Sequence, residues 1–111
     1  MLTFEEIKKQ VLDGLVPPPR PLRVILFGSY ARGAPRGESD IDLVVVLDKE
    51  GKSDSYRALV RNRVEISRSL RPLKRKHPVD ILVYTKEEWE ALRASKSSFI
   101  QRIEAEGLDI L

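Results

Sequence analysis

The sequence predicts an α/β (α+β) fold, a small mixed three-stranded sheet flanked by helices. Three observations carry this. Three runs of strand length are almost wholly apolar: Leu22 to Phe27, Asp40 to Leu47 past its start, and Val79 to Tyr84. Segments with helical spacing of apolar residues lie before, between and after them. The first connection between strands is short, whereas the second contains a full helix. The first pair is therefore expected antiparallel and the second parallel.

Taken in order, Thr3 to Gly14 reads as a helix. Thr3 and Glu6 have capping-box spacing, and Phe4, Ile7, Val11 and Leu15 share a face. Gly14 is a natural stop, and Pro17-Pro18-Pro19-Arg20-Pro21 is a stiff, extended connector. The run L-R-V-I-L-F from Leu22 is apolar enough to be a central strand, buried on both faces. A short helical turn is expected from Ser29, and loop from Ala34 to Ser39. The second strand follows, then a turn over Asp48 to Ser53. Ser53 to Leu70 reads as the longest helix, with Tyr56, Leu59, Val60, Val64, Ile66 and Leu70 on its apolar side. Pro72 is expected to end it. After the third strand, Thr85 and Glu88 repeat the capping-box spacing and open a helix through Trp89 and Leu92. Ser97 or Ser98 starts a last helix, with Phe99, Ile100 and Ile103 inward and Gly107 closing it. The apolar end, Leu108, Ile110 and Leu111, reads as exposed and suited to forming a homo-oligomer or docking on a partner.

Bulk properties set bounds. At 111 residues the chain fits one domain spanning 1–111, with one modest core. The absence of cysteine excludes a disulfide framework and thiolate metal or redox sites, and it suits a cytoplasmic setting. No apolar run approaches the ~20 residues of a membrane span, and the N-terminus lacks the apolar stretch of a secretory signal. The net charge is +3, unevenly spread: residues 49–76 hold ten of the twenty Lys and Arg and only three acids.

The densest chemistry lies in G-S-Y-A-R-G-A-P-R-G-E-S-D-I-D, Gly28 to Asp42. Side chains alternate along a strand, so Asp40 and Asp42 project from one face, ~7 Å apart. Two such carboxylates repel when ionised, and a shared cation relieves the repulsion. Mg²⁺ commonly takes one or two carboxylates together with substrate phosphates. Should the third strand lie parallel beside the second, Asp80 falls next to the pair. Three acids would then suffice for two Mg²⁺ ions ~4 Å apart about a transferring phosphoryl group. A bare D-x-D is usually a solvated strand edge; here its context argues otherwise. Gly28 and Ser29 directly follow a strand, where glycine admits a phosphate close to the backbone and turn amides face an anion. Arg32 and Arg36 are within reach of phosphate oxygens. The segment is neither a P-loop nor a dinucleotide fingerprint, since Gly-Lys-Ser/Thr and G-x-G-x-x-G are both missing.

Gly28-Ser29, ten residues, then Asp40-Ile41-Asp42 resembles the signature of the minimal nucleotidyltransferases of the DNA polymerase β-like superfamily. Arg32-Gly33, S-D-I-D-L from Ser39 to Leu43, V-D-I-L-V from Val79 to Val83 and the segment Ser98 to Gly107 extend the resemblance over most of the chain. It implies the polymerase β-like fold and transfer of AMP from ATP to an acceptor hydroxyl, with release of pyrophosphate. Asp40, Asp42 and Asp80 would be the catalytic and metal-binding acids. Gly28, Ser29, Arg32 and Ser39 would bind the nucleotide. Many members are antitoxins paired with a HEPN-domain ribonuclease toxin, which they neutralise by adenylylating a tyrosine or by binding alone. A chain this small has no acceptor-recognition domain, so its acceptor is expected to be a protein supplied in trans. A non-catalytic antitoxin that covers a HEPN partner is the alternative.

Arg57, Arg61, Arg68, Arg71 and Arg75 recur at helical steps and form a polar stripe. An anionic partner, RNA or an acidic protein surface, is one reading; a solvated face is the other. Tyr56 is the only aromatic residue nearby, so direct nucleic-acid binding is not favoured. His77, the single histidine, has no companions for a metal site. Trp89 and Tyr30 read as packing residues.

Overall fold

The computed structural model describes residues 3–15, 21–33, 40–49 and 56–111, the side chains of Tyr56 and Leu59 excepted. The expectations for residues 16–20, the loop 34–39 with Arg36 and Ser39, and the start of the long helix at 53–55 lie outside these residues. The described elements are α1 (Phe4–Leu15), β1 (Arg23–Phe27), β2 (Ile41–Leu47), α2 (Tyr56–Ser69), α3 (Arg71–Lys76), β3 (Val79–Thr85), α4 (Lys86–Ser95), α5 (Ser98–Glu106) and β4 (Leu108–Asp109).

The sheet has the order β3-β2-β1-β4. β1 pairs antiparallel with β2, and β2 pairs parallel with β3, as the connection lengths require. β2 is central and buried on both faces. Leu43 and Val45 join one core with Ile7 and Val11 of α1, Ile66 of α2 and Leu73 of α3. Val44 and Val46 join a second with Trp89 of α4 and Ile100 and Ile103 of α5. Helices thus cover both faces of the sheet, which explains why β2 has no polar residue between Leu43 and Leu47.

Local signals place the helix ends. The Thr3 hydroxyl accepts from the Glu6 amide at 3.2 Å, while Glu6 Oε1 accepts from the Thr3 amide. Thr85 and Glu88 make the same reciprocal pair at α4. The Ser97 hydroxyl accepts from the Ile100 amide at the start of α5. Gly14 does not end α1, which continues to the buried Leu15. A β-carbon at Gly14 would stand 2.6 Å from the Ser69 carbonyl oxygen, so its bareness serves the approach of α1 to α2.

Three further expectations need correction. Pro72 does not end the helical region. The chain turns at Leu70 and starts α3, with Pro72 in its first turn, where no intrahelical N–H donor is required. Val60 and Val64 do not face inward: they are 37% and 45% exposed; Ile66, and Leu70 just past the end of α2, are buried as expected, and Asn62 is buried with them. Asn62 is tolerated there because its Oδ1 accepts a hydrogen bond from Lys49 Nζ at 3.1 Å. The C-terminal end is not a free apolar tail. Leu108 and Asp109 form β4 against β1, the sheet gains a fourth strand, and Ile110 is 5% exposed in the α1-side core. Its amide donates to the Val24 carbonyl at 2.8 Å. Two residues with one Asp give no alternation to read, so this strand has no sequence signature of its own.

Ile110→Ala should therefore destabilise the fold by about 2–5 kcal/mol, whereas Leu108→Ala should cost well under half of that. Urea denaturation of the two variants checks this; equal small losses would mean that β4 does not secure the sheet.

Candidate active site

The site is built at the end of the sheet where β1 finishes and β2 and β3 begin. Parallel pairing sets Asp42 beside Asp80, and antiparallel pairing sets Phe27 opposite Asp42 on its other side. The Ile41 amide donates to the Pro78 carbonyl at 3.0 Å, which fixes the entrances of the two acid-bearing strands together. Asp42 and Asp80 lie on the α4–α5 face of the sheet, the face to which Val44 and Val46 contribute. Asp40, exposed just ahead of β2, adds its charge to the same neighbourhood.

The fields of these groups meet at Asp42. Its carboxyl is held above the ordinary carboxylate range, first by partial burial, then by the charges of Asp80 and Asp40; Arg32 works in the opposite direction. The arrangement is that of a place where negative charge has been concentrated and only partly compensated. Arg32 Nη1 lies 3.7 Å from Glu106 Oε2, an exposed pairing that leaves the guanidinium accessible.

The Gly-Ser turn forms the other wall. Gly28 has φ +76°, and the Arg32 amide donates to the Gly28 carbonyl at 3.1 Å, closing a single helical turn. A β-carbon at Gly28 would overlap Asp42 Oδ2. Glycine is thus required twice there, for the left-handed backbone and for contact with the carboxylate. Ser29, half-buried, follows at once. Tyr30 is buried, and its hydroxyl hydrogen-bonds His77 Nε2 at 3.1 Å, with the rings edge to face. Residues 47 apart in sequence thereby brace the turn against the lead-in to β3. Neither residue carries a sequence signal for this partnership.

Of the expected site residues, the fold brings Gly28, Ser29, Arg32, Asp40, Asp42 and Asp80 to one end of the sheet; Ser39 lies outside the described residues. Among the described residues no three His, Asp or Glu side chains converge as a preformed metal cage. The donor set nevertheless suits a hard divalent cation: all oxygen, mutually repelling, partly exposed, and leaving ligand positions for phosphate. Asp40, Asp42 and Asp80 are the residues that would hold it.

The comparisons with known proteins concern the whole of this architecture. A family model described as "Nucleotidyltransferase domain" matches residues 5–107. No curated protein sequence matches the chain. Among solved structures, it is similar to a toxin–antitoxin crystallised with AMP-PNP. That match has TM-score 0.61 and 22% identity, covering 94% of this chain and 72% of the other. It is also similar to a double Asp-to-Glu mutant of the toxin–antitoxin MntA-HpeT, with TM-score 0.57 and 22% identity, over 99% of this chain and 73% of the other. A putative nucleotidyltransferase from Sulfolobus solfataricus matches with TM-score 0.52 and 27% identity, over 77% and 68%. No helix among the described residues is long and apolar enough to cross a membrane.

A raised pKa means that ionised Asp42 is less favourable in the folded chain than in the unfolded one. The associated stability is present below the unfolded pKa and is lost as pH rises through the folded value. Asp42→Asn should therefore raise the melting temperature at neutral pH in chelator. The gain should shrink on acidification through the carboxylate range. A destabilised variant at neutral pH would show that the repulsion is not what governs this site.

Proposed function

The chain belongs to the nucleotidyltransferase domain family, and from that premise we propose that it transfers AMP from ATP to a hydroxyl of a protein acceptor, acting as an antitoxin. The observation that carries this is the row Gly28–Asp42–Asp80: a turn open to phosphate, touching one carboxylate that is paired with another on the parallel strand. The similar toxin–antitoxin crystallised with AMP-PNP supports ATP as donor and a toxin as partner. In the MntA-HpeT mutant the exchanged aspartates are two positions apart, the spacing of Asp40 and Asp42. A HEPN-type ribonuclease is the partner that fits, with a tyrosine as the acceptor, and a cysteine-free chain suits the cytoplasm.

The residues divide the work. Gly28 lets the triphosphate approach the backbone, and the amides of the turn and the Ser29 hydroxyl donate to its oxygens. Arg32 supplies positive charge on the exposed side. Asp40 and Asp42, with Asp80 beside them, would hold Mg²⁺, which would supply positive charge against the charge developing on the phosphates. Asp80, on the outer strand, accepts the acceptor's proton. The acceptor oxygen bonds to the α-phosphorus as the bond to the bridging oxygen breaks, and pyrophosphate leaves with that electron pair.

With ATP, Mg²⁺ and its toxin partner, the chain should add AMP to the partner, read as a mass gain together with pyrophosphate release. Asp42→Asn should lower the rate by about 10²–10³-fold. Neutralisation of the toxin that persists undiminished in Asp42→Asn, with no mass gain in either case, would instead identify an antitoxin that acts by binding alone.

A further inference from the structure

The basic stripe of α2 and α3 plays no part in the chemistry above, yet it runs to the same place. Two cavities of about 330 and 400 Å³ lie along these helices and share Val64, Ser67 and Lys74, forming one trough. The outer part is walled by Arg68, Arg71 and Arg75. The inner part has Arg63 on its rim and an aliphatic lining of Val60, Val64, Val79 and Ile81; Asp80 is part of its wall. Among the described residues no carboxylate pairs with Arg63, Arg68, Arg71 or Arg75, and Lys74 donates only to the Ser67 hydroxyl. β3 ends the sheet on this side, and no described strand pairs with its outer edge.

We propose that this trough receives an acidic, aliphatic segment of the protein acceptor and leads its hydroxyl to Asp80. The inference rests on the nucleotidyl-transfer reading and names how the acceptor is recognised. Charge complementarity selects an anionic occupant, because unpaired cations at this density gain most from carboxylates. The aliphatic lining selects a polypeptide over RNA. Val60 and Val64 are exposed valines that α2 does not use for its core, and they offer apolar contact to a side chain. Single-stranded RNA is held instead by aromatic platforms, and among the described residues no aromatic side chain lines either cavity. An extended segment along β3 also finds main-chain partners on the free edge. β3 is the outermost described strand, so a tyrosine or serine of a segment running along its open edge passes around that edge to the Asp80 carboxylate on the other face of the sheet, which takes its proton. Its oxygen then bonds to the α-phosphorus while pyrophosphate departs.

The test uses the full chain and a dye-labelled peptide alternating Glu and Val around one Tyr, with a Lys-Val peptide and a single-stranded RNA as comparators. Fluorescence anisotropy reads binding, and mass gain with Mg²⁺-ATP reads transfer. The acidic peptide should bind, and more weakly as salt rises. Its affinity should fall about tenfold or more in Arg68→Glu/Arg71→Glu/Arg75→Glu and about threefold or more in Val64→Ser. Binding of a fluorescent ATP analogue should be unchanged in both variants. Equal peptide affinity in all three proteins would overturn the proposal, as would RNA that binds more tightly and displaces the peptide. If the unaltered chain binds no nucleotide, the transfer reading fails by itself; the peptide titrations still decide the trough.

Discussion

The site depends on one electrostatic constraint: the sheet forces carboxylates together at the end of its most buried strand. β2 is apolar on both faces from Leu43 onward, so its register is fixed by two cores at once. A slip of one residue would send Leu43 and Val45 to the face that receives Val44 and Val46. Because that register cannot drift, Asp42 cannot move away from Asp80 on the neighbouring strand, nor from Gly28 at the end of β1. Folding stability is thereby used to hold an arrangement that electrostatics alone would disperse. A cation and a triphosphate are the complement that we propose for such an arrangement.

The same reasoning explains the position of the helices. α1, α2 and α3 close one face of the sheet and α4 and α5 the other, and among the described residues Asp40 and Asp80 are exposed at the strand entrances. Small connecting devices keep those entrances in shape. The Tyr30–His77 contact ties the Gly-Ser turn to the approach of β3, and the Ile41–Pro78 hydrogen bond ties β2 to the same point. Arg23 reaches both Glu104 of α5 and Asp109 of β4, linking the far edge of the sheet to the helix that covers it.

Much of this was legible in the residues, for identifiable reasons. Buried strands announce themselves by continuous apolar runs, and capping pairs such as Thr85 and Glu88 act locally, so both are visible in sequence. The connection lengths gave the strand directions, and those directions put Asp80 beside Asp42. What was not legible depended on tertiary choice. Helical spacing placed Ile66 inward correctly but does not decide how wide the inward side of α2 is; the fold buried Asn62 beside Ile66 and turned Val60 and Val64 outward. Pro72 is equally compatible with stopping a helix and with starting one, and the close of α2 at Leu70 decided the matter. β4 exists because β1 offers an edge and Ile110 a place in the core, not because Leu108-Asp109 favours a strand.

The central claim is that Asp42 and its neighbours form the cation-dependent seat of a nucleoside triphosphate. Calorimetric titration of ATP into the chain, with Mg²⁺ and with chelator, and again with Asp42→Asn, tests it most directly. The account requires heat of binding from the unaltered chain in Mg²⁺ and its loss both in chelator and in the variant. ATP uptake that is indifferent to the cation and to Asp42 would contradict it.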